Sequence, residues 1–137
     1  MKPTLTLIVL LLMVVGCDYC KIMYGEEDLG NRFMLINENI ERVYINYCTS
    51  EKCCTSGFSA IPSKVLETEF DEDWIIARVE NKDSTTFWII DKSYNPDLNR
   101  CEETNCYEEL KLHISGPLNH KEFRNRVDTL KIDLSFN

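Results

Sequence analysis

The sequence predicts an α+β domain, a small and mostly antiparallel β-sheet with one C-terminal helix packed on it and disulfides clipping its loops. Three observations carry that prediction: two β-branched and aromatic runs at 74–79 and 85–90 around a polar turn, a strong helix start at Asn119, and six cysteines downstream of an apolar leader. The chain has 137 residues, 44% hydrophobic and 28% charged. That length suits one domain plus a leader, and the mixture excludes disorder, collagen-like repeats and a multi-span membrane protein.

The leader comes first. Lys2 supplies a positive charge, and Leu5 to Val15 reads LTLIVLLLMVV, with Thr6 its only polar member. A membrane-spanning helix needs about 20 apolar residues, so this run fits the apolar region of a secretory signal. It ends at Val14-Val15-Gly16-Cys17, which resembles the lipobox of bacterial lipoproteins. The resemblance covers residues 1–17. It implies cleavage between Gly16 and Cys17, a diacylglyceryl group on the Cys17 thiol and acylation of the new amine, so that residues 1–16 are a signal peptide. Two or three acyl chains make membrane attachment lasting, whereas one is marginal. The competing reading is an ordinary cleaved signal that leaves Cys17 as a disulfide partner. Asp18 resembles the inner-membrane retention signal of enteric bacteria, and the choice between inner and outer membrane stays open.

Residues 17–31 hold Gly25, Gly30 and acidic side chains with little periodicity, and are expected to form the lipidated N-terminus and a flexible tether. The globular domain is expected over 32–137. Phe33 to Ile36 is a short apolar run, Val43, Ile45 and Tyr47 alternate with polar neighbours, and Gly57 to Ile61 stops at Pro62, which makes three strands. Residues 63–70 leave room for a short helix opening after Pro62. The two runs around Asn81-Lys82-Asp83-Ser84 predict a hairpin, apolar enough on both faces to sit centrally in a sheet. From Asp91 to Glu109 the chain is polar and is expected to be a long loop. Leu110, Leu112 and Ile114 alternate, predicting a strand that ends at Gly116-Pro117 with His113 on its polar face.

Asn119 then caps a helix, Glu122 completes a capping box, and Leu118 packs on Phe123 as a hydrophobic staple. Phe123, Val127 and Leu130 share the apolar face, while Lys121, Arg124, Asn125 and Asp128 face water. Ile132, Leu134 and Phe136 alternate in a closing strand or an extended tail.

Committing Cys17 to lipid leaves an even set of cysteines: Cys20, Cys48, Cys53, Cys54, Cys101 and Cys106. Outside the cytosol they are disulfide candidates. Cys101 and Cys106 flank a polar stretch and are expected to pair. Cys48 with Cys53 or Cys54 clips a second loop, leaving Cys20 and the other vicinal cysteine to pair with each other or stay free. A zinc reading of Cys48-x4-Cys53-Cys54 lacks paired C-x-x-C spacing and a nearby histidine.

Loss of residues 1–16 removes Lys2 and no acid, so 14 basic side chains face 23 acidic ones, a net charge of −9. Such a charge disfavours nucleic acid and anionic lipid and suits a cationic protein partner, although acidic surface also serves solubility alone. The runs Glu26-Glu27-Asp28 and Asp71-Glu72-Asp73 are expected to be solvated loop charges.

The order Trp74 to Ile76, then Phe87 to Lys92, then Gly116, Pro117, Glu122 and Phe123 resembles a family of small bacterial lipoproteins known only as a domain of unknown function. The similarity covers most of residues 30–132 and implies no activity. No phosphate-binding loop, dinucleotide fingerprint, H-E-x-x-H or EF-hand occurs. His113 and His120 are the only histidines, and both are expected at the surface. The reading is therefore a lipid-anchored protein of the bacterial cell envelope, facing the periplasm or exterior. It is expected to be non-enzymatic, to need no cofactor, and to act in binding or structure. In its sharper form it is an acidic inhibitor or immunity-type protein against a cationic partner. The alternative is a thiol-disulfide or metal-dependent activity at Cys48, Cys53 and Cys54.

Overall fold

A computed structural model describes residues 19–62, 64–101 and 104–137. Two four-stranded antiparallel sheets follow one another along the chain. The first runs β1 (Glu26–Gly30), β2 (Phe33–Asn39), β3 (Arg42–Cys48) and β4 (Gly57–Ile61) in that spatial order. The second runs β5 (Val65–Phe70), β6 (Trp74–Asn81), β7 (Ser84–Asp91) and β8 (Ile114–Leu118). Within each sheet, strands that follow one another in sequence also pair in space, with the 3₁₀ turn and a helix intervening only between β7 and β8. Around the sheets lie α1 (Tyr19–Tyr24), a 3₁₀ turn (Leu98–Arg100), α2 (Cys106–Leu112) and α3 (His120–Leu130).

The central hairpin explains the core. In β6 and β7 the register pairs Ile75 with Ile90 and Ile76 with Ile89, and all four side chains are buried. Ile75, Ala77, Val79 and Ile90 join Leu29, Phe33, Ile45, Tyr47 and Ile61 of the first sheet in one cluster. Ile76 and Ile89 project the other way and meet Phe123 and Ile132, with Trp74, Phe87, Leu118, Val127, Leu134 and Phe136 packed around them. Burial on both faces is why these strands read as continuous apolar runs instead of alternating ones. The strands extend to both ends of the polar turn, leaving Lys82 and Asp83 at its tip with Lys82 at φ 51°. A left-handed residue there suits the right-handed twist of a tight hairpin.

The helix expected at 119 forms as α3. The Asn119 side chain accepts the Glu122 amide at 3.0 Å, and Glu122 accepts the Asn119 amide at 2.9 Å. Leu130 stays 37% exposed because the helix turns out at Lys131, φ 55°. The alternation of Ile132, Leu134 and Phe136 yields an unpaired extended tail that packs on the second cluster.

The fold departs from expectation over residues 17–31 and 63–70, and over 91–113, where the expected long loop holds the 3₁₀ turn and the start of α2. The stretch expected to be a tether holds α1 and β1, and β1 pairs with β2 through Glu26 and Ile36. Its one aliphatic side chain, Leu29, is fully buried, so a strand with little hydrophobic pattern is held by a single anchor and its ladder. Glu26 is accordingly no solvated loop charge: it is 5% exposed, while Glu27 and Asp28 face outward. The helix expected over 63–70 is strand β5 from Val65, with Ser63 outside the described residues. The β6 edge supplies a ladder and Arg78 meets Glu67 at 2.7 Å, which outweighs weak helical spacing. Finally, Leu110 and Leu112 lie in α2, capped by Asn105, with Leu110 buried and Leu112 85% exposed. The strand starts at Ile114 and continues through the cis Gly116–Pro117 bond. Pro117 is tolerated because β8 is an edge.

Candidate functional site

Gly16 and Cys17 lie outside the described residues. The structure begins two positions later, at a disulfide knot. Cys20 bonds Cys53, Cys48 bonds Cys54, and Cys101 bonds Cys106, each with Cα atoms 5.2 Å apart. The vicinal cysteines thus serve different partners: Cys54 closes the β3–β4 loop on itself, and Cys53 reaches back to pin α1. The turn between them is set by Ser50, whose hydroxyl donates to the Cys53 carbonyl at 2.7 Å.

Glu26 completes the knot. One carboxylate oxygen accepts the Cys54 amide at 2.8 Å, and the other is buried without a hydrogen-bond partner. Its carboxylate and the sulfurs of Cys20 and Cys53 lie within 4.8 Å of one another, a spacing that suits a metal. The two sulfurs are bonded to each other, however, so neither has a thiolate to donate unless reduced. Beside the knot runs a groove of about 980 Å³ between α1, β1 and the β3–β4 loop. Glu27, Asp28 and Glu51 line it together with Lys21, Lys52, Tyr19 and Tyr24, so its charge is mixed.

His113 is not on a strand. It caps the C-terminus of α2, and its amide donates to the Leu110 carbonyl at 3.0 Å. Here the fold assembles a trio that the sequence does not announce. Ser93 Oγ lies 3.4 Å from His113 Nδ1, and Asp91 Oδ2 lies 3.5 Å from the same nitrogen. A nucleophile relay needs the serine on one ring nitrogen and the carboxylate on the other, so this arrangement supports no such relay. Burial pushes the Asp91 carboxyl up, but the Ser93 hydrogen bonds and the His113 charge more than offset it and hold it below its ordinary value. Next to it, Tyr94 donates to the Cys106 carbonyl at 2.5 Å and packs edge-on against Tyr47. Burial, with Tyr47 and Glu109 nearby, pushes the Tyr94 hydroxyl up to about 12.

Lys92 is the second charged residue with almost no exposure, 4%. Its ammonium donates to the Asp71 carbonyl and lies 5.6 Å from the centre of the Phe70 ring. Its carbonyl accepts the Asn31 side chain at 2.9 Å, so one residue ties the β1–β2 turn to the β5–β6 turn. Gly30, at φ 86°, leaves the space that the ammonium fills. Between the second sheet, α3 and the C-terminal tail, Phe87, Phe123 and Phe136 form a cleft of about 340 Å³ rimmed by His120, Arg124 and Asp128.

These features define a disulfide-tied domain of two antiparallel sheets with a capped helix on the outer face of the second. The chain belongs to the family DUF3997, described as a protein of unknown function, which matches residues 30–137. No curated protein and no solved structure matches the chain significantly. The matched range opens at the β1–β2 turn, so α1 and Cys20 precede it.

Proposed function

We propose that the chain is a lipoprotein of the bacterial envelope, anchored through acyl chains on Cys17, that works by binding instead of by chemistry. The observation that carries this is the pairing of all six cysteines among the described residues, beginning three positions after Cys17. Three disulfides in so small a domain suit an oxidising compartment. The apolar leader provides the route there, and two or three acyl chains on Cys17 provide a lasting attachment; no helix among the described residues is long and apolar enough to cross a membrane.

The charge of −9 selects the partner class, a cationic protein, through long-range attraction. An inhibitor or immunity-type protein against a basic enzyme such as a lysozyme fits that charge. The test is retention of the domain on an immobilised lysozyme at low and high salt. The proposal expects retention that weakens as salt rises, and retention at neither salt contradicts this partner class.

A further inference from the structure

We infer that α1 lies on the bilayer surface as a second, non-covalent attachment, with zwitterionic lipid headgroups as its ligand, so that the domain is held in one orientation. The inference rests on the proposed acylation of Cys17 and adds to it a contact made by the folded domain.

The first ground is chain length. Cys17 stands two residues before Tyr19, and two extended residues span about 7 Å at most. An acylated sulfur in the membrane therefore leaves α1 no farther away than the depth of the headgroup layer. The second ground is composition. Within its six residues α1 exposes Tyr19 by 55%, Ile22 by 76%, Met23 by 58% and Tyr24 by 47%. No other described element of this fold concentrates so many large exposed apolar side chains. Tyrosines at both ends suit the boundary between water and hydrocarbon, where an aromatic ring and a hydroxyl are both satisfied.

The third ground is that the helix is fixed. The Cys20–Cys53 bond and the Asn37 amide on the Gly25 carbonyl at 3.0 Å, just past the end of the helix, hold α1 to the first sheet. A helix this short does not persist alone in water, so the fold presents an apolar face that it does not itself cover. The charge around it selects the lipid. Lys21 and Lys52 share the adjoining groove with Glu27, Asp28 and Glu51, a mixture that meets zwitterionic headgroups and gains nothing from anionic ones.

The test uses the full-length acylated protein in phosphatidylcholine vesicles, some made with lipids brominated near the headgroup end of the chains. Ile22→Trp, and separately Tyr19→Trp, places a reporter on α1. Leu112→Trp places one on the equally exposed end of α2. The emission that each α1 tryptophan adds over that of the unaltered protein is expected to fall about two-fold relative to unbrominated vesicles. The Leu112→Trp variant and the unaltered protein, with Trp74 and Trp88 packed in the domain, are expected to show little change. The mass of the N-terminal peptide is measured on the same samples. Acylated protein with unquenched α1 variants overturns this inference alone. A Cys17 peptide without acyl mass overturns the anchor, and the inference with it.

Discussion

The Asp91 carboxylate accepts the Ser93 amide at 2.8 Å on one oxygen and faces His113 on the other. Both contacts favour the charged form and hold its pKa below the ordinary value. A carboxyl depressed in the folded state contributes stability that is present above its unfolded pKa and is lost as pH falls through the folded value. Asp91→Asn is therefore expected to be less stable than the parent at neutral pH, with the gap closing below about pH 4. Denaturant titrations across that range check it, and a gap that does not change with pH contradicts it. This trio was illegible in the sequence because His113 stands twenty positions from Ser93, and only the β7–β8 pairing brings them together. Glu26 was hidden for a related reason. In an acidic triplet it looks like its exposed neighbours, and nothing local marks the half-buried Cys54 amide that it accepts.

At the scale of elements, local signals were read best where local physics decides. The capping box at Asn119 satisfies two backbone donors within four residues, so its side chains announce the helix without help from the fold. Asn119→Ala is expected to cost about 1 kcal/mol, measured as a lower denaturation midpoint with an unchanged slope. A stability equal to the parent's contradicts the cap's role. The hairpin of β6 and β7 was legible for the same reason, since its strands and turn are contiguous. Strand β5 was not. Its residues suit a short helix by spacing, and the deciding partner, the edge of β6, lies outside the segment itself. Leu110 and Leu112 look like strand alternation because they stand two apart, yet both lie in α2. In the fold one faces the core and the other water. Gly116 shows the converse: a residue of the family pattern, it lies against the Trp88 ring, where a Cβ would come within about 2.5 Å.

For the whole molecule, Trp74 to Ile76, Phe87 to Lys92, Gly116 and Phe123 are the skeleton of the second sheet and its helix. That is why they signal a fold and are silent about a partner. What distinguishes one end of the molecule is the knot. Closing the separation of 33 residues between Cys20 and Cys53 contributes about 4 kcal/mol in the chain-entropy picture, against about 2 for either short loop. The strongest clip therefore secures the segment next to Cys17, where tension from the proposed acyl anchor would enter the domain. The net charge and the six cysteines available for pairing were legible in composition, whereas the connectivity needed the fold that brings Cys20 to the β3–β4 loop. Anchoring at Cys17 and oxidation of the other six cysteines are read together in the intact mass of the native protein extracted from membranes with detergent, before and after thiol labelling without reductant. The expected product is a chain that starts at Cys17, carries acyl mass on that residue and takes up no label at the other six cysteines. A water-soluble chain that retains Met1 to Gly16 and labels at those cysteines contradicts it.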